Sequence, residues 1–353
     1  MNERVRWGIL GNATIARVCV IPAIQKSRNG TVVALATRSP ESAREVVKKN
    51  GIPRLYDSYA DLLNDPGIDA VYVPLPNHLH RPWTLAALAA GKPVLCEKPL
   101  ACSAAEADEM SRAAAAAELP LMEALMYRFH PRSRRIRQMV RDGAIGTLRL
   151  VRTAFCFRME DELMRRGDNF RLNPATGGGA LLDVGCYGVS LARWLFDSEP
   201  LQVQAQADVN SAGVDVHLVG SLVFAGGGLA SLEVSFVSAL QQTYSVIGSE
   251  GAIDLPHDAF IPWENDAVFQ LRGKTEEAGK KIVIPGADEY RLMVEHFADA
   301  VRGAVVPAYP VADSVANLTA LDALAEAVQS GRSVTLPKSR TIVPDQRRVK
   351  SHP

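Results

Sequence analysis

Hydrophobic positions set two rhythms along the 353-residue chain. In the first third, short runs that are apolar almost throughout alternate with segments of helical period. Residues 5–10, 31–37, 68–74, 93–97 and 121–125 read as strands, and residues 13–27, 40–50, 79–90 and 103–118 as the helices between them. Strands with no polar face, each followed by a helix, predict a parallel sheet covered on both sides. From about Met126 the pattern changes. Residues 148–159, 201–209, 217–224, 229–237 and 243–247 tend to alternate apolar with polar, as in a sheet with one wet face. One helix, near residues 179–196, interrupts them, and helices over 288–302 and 311–330 follow. No internal repeat is present. The length exceeds what one core usually serves, so we expect domains at 1–125 and 126–353. The basic, polar segment 338–353 reads as a loose tail.

Composition narrows the function classes. Hydrophobic residues make up 47% and charged residues 22%, as in a soluble globular protein. Lys plus Arg equals Asp plus Glu at 39 each, so the chain lacks the global positive field that draws proteins to nucleic acid or acidic membranes. Arg347-Arg348-Val349-Lys350 is too short to change this. A local basic pocket for a phosphorylated ligand stays compatible. The five cysteines, Cys19, Cys96, Cys102, Cys156 and Cys186, form no C-x-x-C pair and read as free thiols in a reducing compartment. Residues 1–7 carry no apolar signal core and no later run spans a bilayer, so the expectation is a cytoplasmic protein without a membrane partner. No His/Cys/Asp cluster has ligand spacing, so no metal is expected.

The candidate chemistry begins at the first strand–helix junction. Gly8-Ile9-Leu10-Gly11-Asn12-Ala13 stands where a dinucleotide fold presents backbone N–H groups to a pyrophosphate. The fingerprint is degraded, with Ala13 and Ala16 at the second and third glycine positions; a plain strand–helix turn has the same residues. Gly11, Asn12, Ala13, Thr14 and Ile15 are the cofactor candidates there. The second strand ends in Thr37-Arg38-Ser39, where an NAD site wants an acid for the ribose 2′-hydroxyl. A guanidinium and a hydroxyl suit a 2′-phosphate, so NADP is preferred; Arg38 as a solvated cation would leave NAD open. Pro74, Leu75, Asn77 and His80 follow the third strand, beneath the expected cofactor, though Asn77 also suits a helix N-cap. Glu97 and Lys98 end the fourth strand. Among apolar groups the Lys98 ammonium would have a lowered pKa and could move a proton, whereas a lone strand-end lysine is usually only solvated.

Three segments in order give the chain a resemblance to a known family. They are Gly91-Lys92-Pro93-Val94-Leu95-Cys96-Glu97-Lys98-Pro99, Met122-Glu123-Ala124-Leu125-Met126-Tyr127-Arg128-Phe129-His130-Pro131, and Gly177-Gly178-Gly179-Ala180-Leu181-Leu182-Asp183-Val184-Gly185-Cys186-Tyr187. Over nearly its whole length the chain resembles the Gfo/Idh/MocA oxidoreductases. It is most similar to the branch of glucose-fructose oxidoreductase, NADP-dependent xylose dehydrogenase and dimeric dihydrodiol dehydrogenase. The resemblance implies an α/β Rossmann N-terminal domain and an α+β C-terminal domain with a large open, mostly antiparallel sheet that commonly forms a dimer or tetramer interface. It also implies that Lys98 lies near nicotinamide and substrate and that Asp183 completes the site. Tyr187 stands where many members carry a histidine, as in this branch.

Chemistry read from the residues agrees. Asp183 and Tyr187, at i and i+4, share one helix face. The three preceding glycines let backbone or substrate approach closely. Oxidising an alcohol needs a base for the hydroxyl proton, and a nearby lysine would bring a phenolate within reach. Tyr187 is then the acid/base, Lys98 polarises the carbinol oxygen, and Asp183 orients a neighbouring hydroxyl; Lys98 as proton carrier and Tyr187 as a core side chain are the competing roles. Arg128, His130, Asp168 and Arg171 are candidates for the substrate wall, although a histidine such as His130 is more often a hydrogen-bonded structural residue, and Pro131 after it suggests a turn. The expectation is NADP-dependent hydride transfer at a carbinol carbon of an aldose or similar cyclic polyol. Dihydrodiol oxidation, keto-sugar reduction and a non-catalytic NADP-binding regulator are the alternatives.

Overall fold

The computed structural model describes residues 4–337 apart from 168 and 277. Asp168 and the 338–353 tail of the sequence reading lie outside the described residues. The first six strands are β1 (Val5–Leu10), β2 (Gly30–Ala36), β3 (Arg54–Tyr56), β4 (Ala70–Val73), β5 (Val94–Cys96) and β6 (Leu121–Glu123). They form one sheet in the order β3-β2-β1-β4-β5-β6, with every pair parallel. The order reverses between β1 and β4, and a crevice opens beyond the carboxyl ends of strands at such a point.

Sequence signals fix the helices on this sheet. Pro40–Asn50 starts with proline in its first turn and ends at Gly51, whose left-handed φ of 61° closes the helix. The Ser103 side chain caps Ala104–Ala117 by accepting from the Glu106 N–H. Two departures matter. The helix expected over 13–27 contains a π segment, Ala16–Val20, before its α part, Ile21–Lys26. The strand Arg54–Tyr56 and the helix Tyr59–Asn64 were not anticipated; both are short, and of their residues only Leu62 and Leu63 are buried.

The other nine strands are β7 (Leu148–Arg158), β8 (Gln202–Val209), β9 (Asp215–Val223), β10 (Leu229–Ser235), β11 (Val237–Gly248), β12 (Gly251–Leu255), β13 (Ala267–Gly273), β14 (Lys280–Ile284) and β15 (Val334–Thr335). They make a second sheet, β14-β13-β12-β11-β7-β10-β9-β8-β15, antiparallel except between β7 and β10. One face lies against helix Cys186–Phe196, which is buried nearly end to end, and helix Val311–Ser330. The other exposes Val219 and Leu229. Helix Glu289–Val301 returns to the first sheet, where Phe297 meets Trp7 with ring centroids 5.6 Å apart. Pro131 after His130 reads in the sequence as a turn. It instead opens helix Pro131–Arg141, because His130 Nδ1 accepts the Arg132 N–H at 3.0 Å and so serves as the cap.

Candidate active site

A cleft of about 840 Å³ runs from the β1–β4 switch point to the second sheet. Its first wall is the β1 turn. Gly11 has φ +117°, and a Cβ there would stand 2.9 Å from Leu75 Cδ2, so only glycine brings this backbone so close to the β4 loop. Asn12, Ala13, Thr14 and Ile15 continue the wall. The Asn12 amide donates to the Ser42 carbonyl at 3.0 Å, whereas its Oδ1 is buried with no partner among the described residues. Arg38 and Ser39, at the end of β2, line the same end together with Ser42 and Tyr59. The neighbouring acid, Glu41, is paired with Arg44 at 2.7 Å and does not line the cleft. Backbone with no room for a Cβ, an orphaned amide oxygen, and hydroxyls and a guanidinium at the end of β2 fit a dinucleotide carrying a 2′-phosphate.

Pro74, Leu75, Asn77, Glu97 and Lys98 form the floor. Asn77 makes no side-chain cap; its amide donates to the Gly177 carbonyl at 2.8 Å and so ties the β4 loop to the glycine run. His80, expected at the cofactor, is fully buried and does not reach the cleft. Its ring nitrogens lie 2.8 Å from the Pro99 carbonyl and 2.7 Å from the Leu75 carbonyl, bracing the loops after β4 and β5 from beneath. Burial pulls its pKa to about 4 against the two carbonyls, which favour the charged ring.

At the far end stand Lys98, Asp183, Arg171 and Tyr187. The Lys98 ammonium donates to the Asp183 carbonyl at 2.7 Å and to its Oδ1 at 3.0 Å. Arg171 Nε donates to the other carboxylate oxygen at 2.7 Å. Burial pushes the Asp183 carboxyl up, but Lys98 and Arg171 outweigh it and bring the pKa to about 2. The carboxylate is therefore engaged with two cations, where the sequence reading had it orient a hydroxyl.

Two proton expectations are corrected here. Burial lowers the Lys98 pKa, yet Asp183, Cys186 and Glu97 overcome it, so the ammonium is held above the ordinary lysine value. Tyr187 is pushed well above an ordinary phenol, chiefly by burial among Phe155, Phe260 and Tyr127. Lys98 Nζ lies 5.3 Å from its ring centroid, over the face. Among the described residues the Tyr187 hydroxyl donates only to Met126 Sδ, at 3.7 Å.

Arg171 joins the site, but Arg128 and His130 do not. Arg128 is buried behind the wall, donating to Asp313 and Ser190 at 2.7 Å each. His130 is spent on its helix cap. Phe155, Phe157, Ile261 and Trp263 stand in the second wall, with Leu240, Gln242 and Tyr290, and escaped the sequence reading. Phe155 and Phe157 carried a usable signal, since residues i and i+2 of a strand share a face. Ile261 and Trp263, in an irregular segment, carried none.

A glycine turn at a switch point, facing a lysine–carboxylate pair and a phenol, defines the site of a nicotinamide-dependent oxidoreductase. The chain belongs to the Gfo/Idh/MocA family: residues 5–125 match the oxidoreductase family's NAD-binding Rossmann fold and residues 133–254 match a GFO/IDH/MocA C-terminal domain. It is 38% identical to the D-xylose 1-dehydrogenase (NADP(+)) 2 of Haloferax volcanii, over 94% of this chain and 99% of that one. It is 34% identical to the trans-1,2-dihydrobenzene-1,2-diol dehydrogenase of Xenopus tropicalis, over 73% and 77% of the two chains. Its fold is similar to that of an aldose-aldose oxidoreductase from Caulobacter crescentus complexed with glycerol, with TM-score 0.85, 27% identity, and 95% and 100% coverage.

Proposed function

We propose that this protein is an NADP-linked oxidoreductase that transfers hydride between the nicotinamide and a carbinol carbon of an aldose or similar cyclic polyol. The observation that carries this reading is the set of Lys98, Asp183, Arg171 and Tyr187 at one end of a cleft whose other end suits a 2′-phosphorylated dinucleotide. The named activity of the xylose dehydrogenase relative supports the same substrate class and cofactor. Gly11 to Ile15, Arg38, Ser39 and Ser42 would hold NADP, which supplies or takes the hydride when bound.

Lys98, fixed as a cation by Asp183, stabilises the negative charge that develops on the substrate oxygen. Tyr187, neutral at physiological pH, holds the proton that passes to that oxygen in reduction. Arg171 keeps Asp183 ionised. Residues 1–125 serve the cofactor and 126–353 the substrate and a partner subunit. Assembly as a homodimer or homotetramer rests on the exposed apolar positions Val219 and Leu229 of the second sheet. A cytoplasmic setting rests on five free thiols. Among the described residues no helix is long and apolar enough to cross a membrane.

The test is a spectrophotometric screen with NADP and NADPH against aldoses, cyclic diols and keto-sugars. Turnover on a sugar or cyclic diol that disappears in Lys98→Ala supports the reading. Tight NADPH binding without turnover on any of them would make the protein a cofactor-binding regulator instead.

A further inference from the structure

Helix starts leave backbone N–H groups without partners, and a side chain from the preceding residues usually supplies the missing acceptor. The helical stretch carrying Asp183 and Tyr187 does otherwise. Its first turn, Leu181–Gly185, is a π segment with no side-chain cap of its own. The acceptor comes from Asp215, the first residue of β9, whose Oδ2 takes the Leu181 N–H at 2.7 Å. Burial pushes this carboxyl up to about 6, against the Leu181, Asp215 and Ala180 amides that favour its charged form. Gly179 has φ +122°, and a Cβ there would overlap Asp215 Oδ1, so the carboxylate sits against bare backbone.

The tie reaches two members of the site. The Gly179 N–H donates to the Arg171 carbonyl at 2.9 Å, and the Asp183 N–H donates to the Gly179 carbonyl at 3.0 Å. Gly179 therefore connects the backbone of both residues whose side chains meet at Asp183 Oδ2. The Asn210 amide, in the turn before β9, donates to the Leu172 carbonyl at 3.4 Å and steadies the same loop.

We propose that Asp215 is a positioning residue, whose carboxylate sets the start of the helix bearing Asp183 and Tyr187 and thereby the Lys98–Asp183–Arg171 arrangement. The inference rests on the functional reading above for its kinetic consequence, but not for its structural one. Without the acceptor, the Leu181 and Ala180 amides must find another, and the first turn shifts. Asp183 then leaves Lys98, and displacement by about 1 Å is enough to cost on the order of a hundredfold in rate.

Asp215→Ala, Asp215→Asn and Gly179→Ala test it in the full chain. In Asp215→Ala we expect kcat to fall at least about tenfold while the NADPH Kd holds within about twofold. Asp215→Asn keeps an acceptor oxygen for Leu181 and recovers most of the rate; a cap that only stabilises the fold would show in the melting temperature without this split. Gly179→Ala loses rate as Asp215→Ala does. The substrate-free readout is the Lys98 titration midpoint, followed by NMR of ¹³C-dimethylated lysines and assigned with Lys98→Arg. It falls by about one pH unit in Asp215→Ala, because Asp183 no longer holds the ammonium. If the wild type turns over no sugar or diol, the functional reading fails and the Lys98 midpoint still decides the role of Asp215. An unchanged midpoint in a folded Asp215→Ala, or a kcat within about twofold of wild type, overturns the proposal.

Discussion

Tyr187→Phe separates catalysis from folding more cleanly than any other change in this site. It removes one oxygen atom, whose sole hydrogen bond among the described residues is a 3.7 Å contact to the Met126 sulfur. The ring keeps its neighbours, Phe155 at 5.5 Å and Phe260 at 5.4 Å between centroids. A long bond to thioether sulfur contributes less than the roughly 1 kcal/mol of an ordinary hydrogen bond, and the buried hydroxyl no longer has to be desolvated. Stability should therefore stay within about 1 kcal/mol, a melting shift of about 2–4 °C or less for a chain of this size. Proton transfer by a placed side chain is worth about 10²–10⁴ in rate, or about 3–5 kcal/mol of barrier. The assay is kcat on the best sugar or diol substrate, beside the NADPH Kd and a thermal melt. A hundredfold loss of kcat with Kd and melting preserved is the expected result. A variant retaining kcat within about threefold would refute Tyr187 as the proton carrier and return that role to Lys98.

Other consequences follow from the charges. Arg38→Ala should weaken NADPH about 10–100-fold and leave NADH nearly unchanged in a fluorescence titration, since a charge-assisted bond is worth about 1.5–3 kcal/mol. Asp183→Asn leaves the Lys98 and Arg171 cations without their carboxylate and should cost about 3 kcal/mol. Because the Asp183 pKa is depressed to about 2, its contribution is fully present above the ordinary carboxyl range and is lost as pH falls through 2. Denaturant midpoints of the wild type and Asp183→Asn should therefore converge in acid; a constant gap down to pH 2 would contradict the pairing. With Lys98 and Tyr187 both held protonated above their ordinary values, alcohol oxidation lacks a free base at neutral pH, so its kcat should keep rising into strongly alkaline solution without levelling off, while reduction, which uses the protonated groups, stays flat across neutral pH.

The parts of the fold legible in the sequence are those with local punctuation. Pro40–Asn50 and Val311–Ser330 match their expected limits because proline stands at each start and Gly51 or Gly331 takes the left-handed end. Helix Pro131–Arg141 was missed for a chemical reason. Arg132, Arg134, Arg135, Arg137 and Arg141 crowd it, so it reads as polar loop, yet the chain buries Arg132 completely and packs Ile136 and Met139 beside it. Strands β12 and β14 escaped because Gly251–Leu255 and Lys280–Ile284 are five residues each, with glycine opening one and two lysines the other. Of the site, the ends of β1, β2, β4 and β5 were readable, since strand ends in a parallel sheet point to one crevice. Protonation was not: the sequence puts lysine near tyrosine, but only the fold places Asp183 on the lysine and aromatic rings around the phenol.

The glycine run before the helix bearing Asp183 and Tyr187 shows the same limit. In the sequence, Gly177-Gly178-Gly179 leaves open whether backbone or substrate takes the room. In the fold, protein takes it. A Cβ on Gly177 would stand 2.5 Å from Cys102 Sγ and 3.0 Å from Asn77 Cβ. One on Gly178 would stand 2.6 Å from the Arg171 carbonyl oxygen, and one on Gly179 would strike Asp215. Each glycine thus admits a different segment: the Rossmann loops, the Arg171 loop and the edge of β9. Lys98 and Arg171 come from the first two segments and Asp183 from the helical stretch that follows the glycines and is tied to β9 through Asp215, and these opposed charges hold their geometry only if the backbones beneath them are fixed. The glycine run is where those backbones meet, which makes it a joint of the active site, and no pairwise spacing in the sequence could have shown what it joins.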